Sequence, residues 1–152
     1  MKVIALSREM ALWMANQISD PHITVSIIEP REEPLKFAEN KARLAVLSLN
    51  FYDLDYNPEK WGEQNTKEII EQYGHGIFTP EQAKQIVDFI EAWKGKVRMI
   101  VVHCSAGVSR SAGVAGAISL VLNGRDEMFF KGRYIPNRFV YRTILNEWER
   151  RK

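Results

Sequence analysis

The stretch Val97-Arg98-Met99-Ile100-Val101-Val102-His103-Cys104-Ser105-Ala106-Gly107-Val108-Ser109-Arg110-Ser111 decides the fold. Residues 99–102 form a short apolar run rich in β-branched side chains, which predicts a strand covered on both faces. Beyond Ser111 the chain continues Ala112-Gly113-Val114-Ala115-Gly116-Ala117-Ile118. These small residues let a helix lie close on a sheet. Between strand and helix sits a tight loop, opened by Cys104 and closed by Arg110.

The spacing has a chemical reason. A loop at a helix N-terminus turns several backbone N–H groups into one small concavity, where they and the helix dipole favour an anion. Cys104 places its sulfur at the bottom of that concavity, and the same field favours a thiolate. Arg110 can give two parallel N–H bonds to phosphate oxygens. One segment thus supplies both a nucleophile and an anion receptor. A lone cysteine at a strand end is more often a small core residue. Here His103, Gly107, Arg110 and Ser111 accompany it at fixed spacing.

Outward from this segment, strands and helices alternate. Residues 2–6, 23–28 and 44–51 read as strands. Ser7 can cap a helix running to about Ile18, on which Met10, Trp13, Met14 and Gln17 share a mostly apolar face. Residues 66–73 suggest a short helix with Ile69, Ile70 and Tyr73 inward. Thr79-Pro80-Glu81-Gln82 is a capping box with proline at the first helical position. Ala83, Ile86, Val87, Ile90 and Trp93 then keep the helical period. The helix after the loop ends at Asn123-Gly124, and a short helix fits residues 126–130. A last helix starts at Pro136, with Phe139, Val140, Ile144, Leu145 and Trp148 inward. The pattern predicts a single α/β domain spanning residues 1–152, with a central, largely parallel sheet flanked by helices. Ligands of such sheets bind at the carboxyl ends of the strands. Cys104 and Asp53 both lie just past an expected strand end, on one rim.

The chain has 152 residues, enough for one core. Lys and Arg number 21 against 19 Asp and Glu, so the net charge of +2 gives no reason to expect nucleic acid as a partner. Basic residues cluster between Arg133 and Lys152, on what reads as a solvated helix face. The single cysteine permits no internal disulfide and points to a reducing compartment. No signal peptide or membrane span is evident. We expect a cytoplasmic monomer. No His/Asp cluster has ligand spacing, so no metal and no cofactor are expected.

His103-Cys104-Ser105-Ala106-Gly107-Val108-Ser109-Arg110-Ser111 resembles the active-site signature of the cysteine-dependent protein tyrosine and dual-specificity phosphatases, His-Cys-x-x-Gly-x-x-Arg-Ser/Thr. Every fixed position is filled. Ile135-Pro136-Asn137-Arg138-Phe139 resembles the start of the last helix in the dual-specificity members, where the Asn braces the phosphate loop. The likeness covers roughly residues 44–150. It implies a phosphotyrosine protein phosphatase-like fold, with Cys104 as nucleophile and Ser105, Ala106, Gly107, Val108, Ser109 and Arg110 binding phosphate. It further implies that His103 holds the loop, Ser111 assists thiolate departure, and Asn137 is a support.

The resemblance also calls for a carboxylic acid to protonate the leaving oxygen. Asp53, nearest the strand end, leads. Asp55 is the alternative, with Glu59, Glu63 and Asp88 behind them. About 50 residues separate Asp53 from Cys104, more than is usual in the small dual-specificity enzymes. The excess falls around residues 57–76, as an extra loop and helix that could cover the site. The expected substrate is a phosphorylated protein or peptide, with phosphotyrosine preferred and phosphoserine or phosphothreonine secondary. Uncharged Ser105, Ala106, Val108 and Ser109 favour a monophosphate. Competing readings are a phosphoinositide or RNA 5′-phosphate phosphatase and a catalytically weak phosphate-binding module.

Overall fold

The computed structural model describes residues 1–152. Strands β1 (Lys2–Ser7), β2 (His22–Ile28), β3 (Arg43–Asn50) and β4 (Met99–Cys104) form one sheet in the order β1-β4-β2-β3. All neighbouring pairs are parallel. Every residue of β2 and β4 is buried, as central strands covered on both faces are, including the polar His22, Thr24, Ser26 and His103.

The pleat assigns side chains to two faces. Ile23, Val25, Ile27, Ile100, Val102 and Cys104 enter the main core, with residues of α4 (Pro80–Trp93), α5 (Arg110–Asn123) and α6 (Arg138–Arg150). Phe51 and Phe78 anchor one end of it, ring centroids 4.7 Å apart. Met99 and Val101 turn to the opposite face, where Leu6, Ala11 and the partly buried Phe37 form a smaller cluster. Thr79 and Gln82 make the expected capping box, and Gly124 ends α5 in the left-handed conformation at φ 73°. No helix is long and apolar enough to cross a membrane.

Three local expectations are corrected. Helix α1 (Arg8–Met14) is capped by Ser7 but stops four residues early. Its one buried residue is Ala11; Ala15, just past its end, is buried as well, and Met14 and Ile18 are partly buried, while Trp13 is 64% and Met10 42% exposed. Small alanines bring the helix axis close to the sheet and force the bulky side chains outward. Second, the segment after β3 forms α2 (Pro58–Trp61) and α3 (Glu63–Tyr73), neither with a buried residue. Ile70 and Tyr73, expected inward, are exposed. Third, α6 begins at Arg138, with Asn137 as its cap, because the Asn137 side chain accepts from Val140 N–H at 3.0 Å.

Candidate active site

The loop between β4 and α5 is held open by contacts with three other segments. Gly107 adopts φ 73°, and a Cβ there would lie 2.4 Å from the Ser7 nitrogen at the end of β1. Only glycine allows this turn against that backbone. Arg8 N–H donates to the Ser105 carbonyl at 3.2 Å. On the far side, Ile135 N–H donates to the Val108 carbonyl and Asn137 N–H to the Ser109 carbonyl, each at 3.0 Å. Gly113 lets this strut approach α5, since a Cβ there would sit 2.7 Å from the Asn137 carbonyl oxygen.

With its carbonyls tied down, the loop turns its amides inward. Gly107 N–H donates to Cys104 Sγ at 3.3 Å. The N–H groups of Ser105, Ala106, Val108, Ser109 and Arg110 donate to no protein acceptor. Such groups need an outside partner, water or anion. Cys104 is 2% exposed and lies 3.2 Å from Ser111 Oγ, within hydrogen-bond reach. His103 is fully buried on the other face of β4, with Nε2 2.6 Å from Ser26 Oγ. Burial, the largest effect, holds its imidazole neutral and lowers its pKa to about 4; Arg8 and Arg110 add to the shift. His103 therefore buttresses the loop as an uncharged group.

Arg110 closes the loop with its guanidinium almost wholly buried. Nη1 donates to the Phe51 carbonyl at 2.7 Å, and Nη2 to Glu29 Oε1 at 2.6 Å and Ser105 Oγ at 3.3 Å. None of these bonds uses Nε. Glu29 follows the last residue of β2, at the same rim of the sheet. It was not anticipated among the site residues. Its signal was available: a carboxylate just past a strand end in an open parallel sheet.

The five acid candidates separate cleanly. Asp53 Oδ1 accepts from Ser109 Oγ at 2.8 Å and from Asn137 Nδ2 at 3.0 Å, so it is joined directly to the loop. Asp55 Oδ1 accepts from Phe139 N–H at 2.8 Å, which makes it a second acceptor for the start of α6. Glu59 and Glu63 stand in the first turns of α2 and α3. Asp88 pairs with Lys84 and Arg151 on the flank of α4. Tyr52 and Tyr56 are engaged in packing, against Tyr73 and His75 and against Trp61 and Phe139 respectively. The basic C-terminal stretch is partly neutralised where it ends. Arg150 and Arg151 pair with Glu147, and Lys152 pairs with Glu149.

This arrangement brings together a cysteine sulfur, a cradle of amides, an arginine and a nearby carboxylate, groups suited to phosphoryl transfer. The protein-tyrosine phosphatase family model matches residues 55–128. A solved structure of PTPMT1 in complex with PI(5)P is similar over 99% of this chain and 95% of its own, at 15% identity and a TM-score of 0.58. A human tyrosine phosphatase-like serine/threonine/tyrosine-interacting protein is similar over 94% of this chain and 82% of its own, at 17% identity and a TM-score of 0.50. At these identities the likeness concerns the fold. No curated protein matches the chain.

Proposed function

We propose that this chain is a member of the protein tyrosine and dual-specificity phosphatase superfamily, and that it hydrolyses phosphate monoesters through a cysteinyl-phosphate, with phosphotyrosine in proteins as the preferred substrate. The carrying observation is Gly107 N–H directed at Cys104 Sγ at 3.3 Å, on a loop whose remaining amides have no protein acceptor. In the first step the Cys104 thiolate attacks phosphorus in line and the P–O ester bond breaks. The loop amides and Arg110 stabilise charge on the equatorial oxygens. Asp53 gives its proton to the leaving oxygen. In the second step Asp53 takes a proton from water, which attacks phosphorus and expels the thiolate. Ser111 Oγ, 3.2 Å from the sulfur, donates to the departing thiolate.

Sequence and geometry favour a protein monoester. The loop side chains Ser105, Ala106, Val108 and Ser109 carry no charge to meet further phosphates. A long aryl phosphate reaches a sulfur set this deep more readily than phosphoserine does. The test is turnover of an aryl phosphate, then of phosphotyrosine and phosphoserine peptides, PI(5)P and RNA 5′-ends. PI(5)P enters that panel because PTPMT1 has been solved with it. The expected order places phosphotyrosine peptides first, and Cys104→Ser abolishes all turnover. Faster turnover of PI(5)P or RNA would replace the substrate while keeping the chemistry.

A further inference from the structure

We infer that the cleft between α2 and α6, beside the loop that carries Asp53, grips the polypeptide flanking the phosphotyrosine and favours an acidic side chain there. The inference rests on the protein-substrate reading above and names the part of such a substrate that the chain reads.

The cleft continues directly from the candidate site. Two aspartates stitch the loop after β3 to the start of α6. Asp53 Oδ1 accepts from Asn137 Nδ2 at 3.0 Å, and Asp55 Oδ1 accepts from Phe139 N–H at 2.8 Å. The next contact along both segments is Tyr56 against Phe139, ring centroids 5.3 Å apart. These two rings also line a cleft of about 400 Å³, whose walls carry Asn57, Glu59, Arg142 and Asn146. That volume is within the range of ligand pockets. One wall is α2, part of the 57–76 stretch in which this chain is longer than the small dual-specificity enzymes.

The groups in the cleft suit an extended, acidic peptide. Tyr56 is held edge-on between Trp61 and Phe139, which gives a fixed apolar wall. Asn57 Oδ1 accepts from Lys60 N–H at 3.2 Å, which leaves its amide donors free. Asn146 is exposed and its side chain has no partner within the protein. A carboxamide sets a donor beside an acceptor, the complement of a peptide unit. Arg142 is exposed as well, with no carboxylate on it. Farther along, Arg150 and Arg151 both pair with Glu147, so Arg142 is the unneutralised arginine of the cleft. Its fork matches a carboxylate. Glu59, across the cleft on α2, opposes the same acid, so the favoured path for the peptide runs along α6. An acyl chain in this cleft would leave the carboxamides and the guanidinium unpaired.

The test measures kcat and KM of the full chain for a small aryl phosphate and for phosphotyrosine peptides flanked by alanine, by glutamate or by lysine. The glutamate-flanked peptide is expected to exceed the lysine-flanked one in kcat/KM about three- to tenfold, with KM carrying the difference, as ground-state binding requires. Added salt should shrink that preference. Arg142→Ala should lower kcat/KM for the glutamate-flanked peptide about three- to fivefold, and Arg142→Glu should invert the preference toward lysine. Asn146→Ala should lower kcat/KM about threefold for every peptide. Glu59→Gln should act in the opposite direction to Arg142→Ala. All four variants should turn over the small aryl phosphate within about twofold of the parent protein, because that substrate does not reach the cleft. Peptide turnover that ignores Arg142→Glu and Asn146→Ala would overturn the inference and leave the protein-substrate reading standing. Equal losses on the aryl phosphate and on the peptides would overturn it too, since the effect would then lie in the catalytic loops. A parent protein that cleaves the aryl phosphate but no phosphotyrosine peptide would remove the protein-substrate reading and this inference together.

Discussion

Asn137 Nδ2 donates to Asp53 Oδ1 at 3.0 Å, and the backbone N–H of Asn137 donates to the Ser109 carbonyl at 3.0 Å. One buried residue thus locks the carboxylate loop to the phosphate loop while capping α6. The cap and the lock can be separated by mutation. Asn137→Ser retains an oxygen that can accept from Val140 N–H but is too short to reach Asp53. We expect its stability to change by less than about 1 kcal/mol. The turnover rate should fall about tenfold, as misplacement of a catalytic group allows. A stability curve beside steady-state kinetics checks both halves.

Asp53 and Asp55 stand two residues apart with different work to do. Removing a general acid costs roughly 10²–10⁴ in rate. Asp53→Asn should show such a loss. Asp55→Ala loses its contact with Phe139 N–H and should cost about 1 kcal/mol of stability, like other caps. Its turnover rate should stay close to that of the parent protein. An unchanged rate for Asp53→Asn would move the acid elsewhere.

The contrast between these two aspartates shows what could be read in the chain. Cys104, Gly107, Arg110 and the strand–loop–helix around them were legible because one local segment builds them. The rim position of Asp53 followed from the strand that precedes it. Its bonds to Ser109 and Asn137 join positions far apart in sequence, and no periodicity reveals such pairs. The same holds for Glu29, whose partner Arg110 lies 81 residues away. Helix α1 misled for another reason: with two turns, the bulky Met10 and Trp13 outweighed the alanines that make the contact. On α3, Ile69, Ile70 and Tyr73 kept a helical period although nothing packs over them closely enough to bury them.

That exposure predicts local mobility. A helix without buried side chains gains little from tertiary packing and opens at low free energy. Amide exchange should be faster across α3 than across α4 or α5. Ile70→Ala should change the unfolding free energy by less than about 0.5 kcal/mol, as for other surface positions. Protection in α3 equal to that in α5 would contradict this.

His103 gives the fold a pH dependence. Its pKa is lowered from 6.5 to about 4 in the folded protein, chiefly by burial. Between those values the unfolded chain binds the extra proton, so stability falls as pH drops from 6.5 toward 4 and this contribution levels off below. The full effect is at most about 3 kcal/mol. Glu32, held at about 2 by Arg8 and the Glu29 amide, loses its contribution in a lower window, below its ordinary 4.5. Denaturant midpoints from pH 7 to pH 4 should therefore decline in the parent protein and stay flatter in His103→Gln.

The most direct measurement is the identity of the phosphorylated residue during turnover. Acid-quenched reactions with an aryl phosphate, digested and analysed by mass spectrometry, should place the phosphoryl group on the peptide bearing Cys104. The adduct should accumulate further in Asp53→Asn, where activation of water is impaired. Turnover with no adduct at Cys104, or undiminished turnover by Cys104→Ser, would contradict the account.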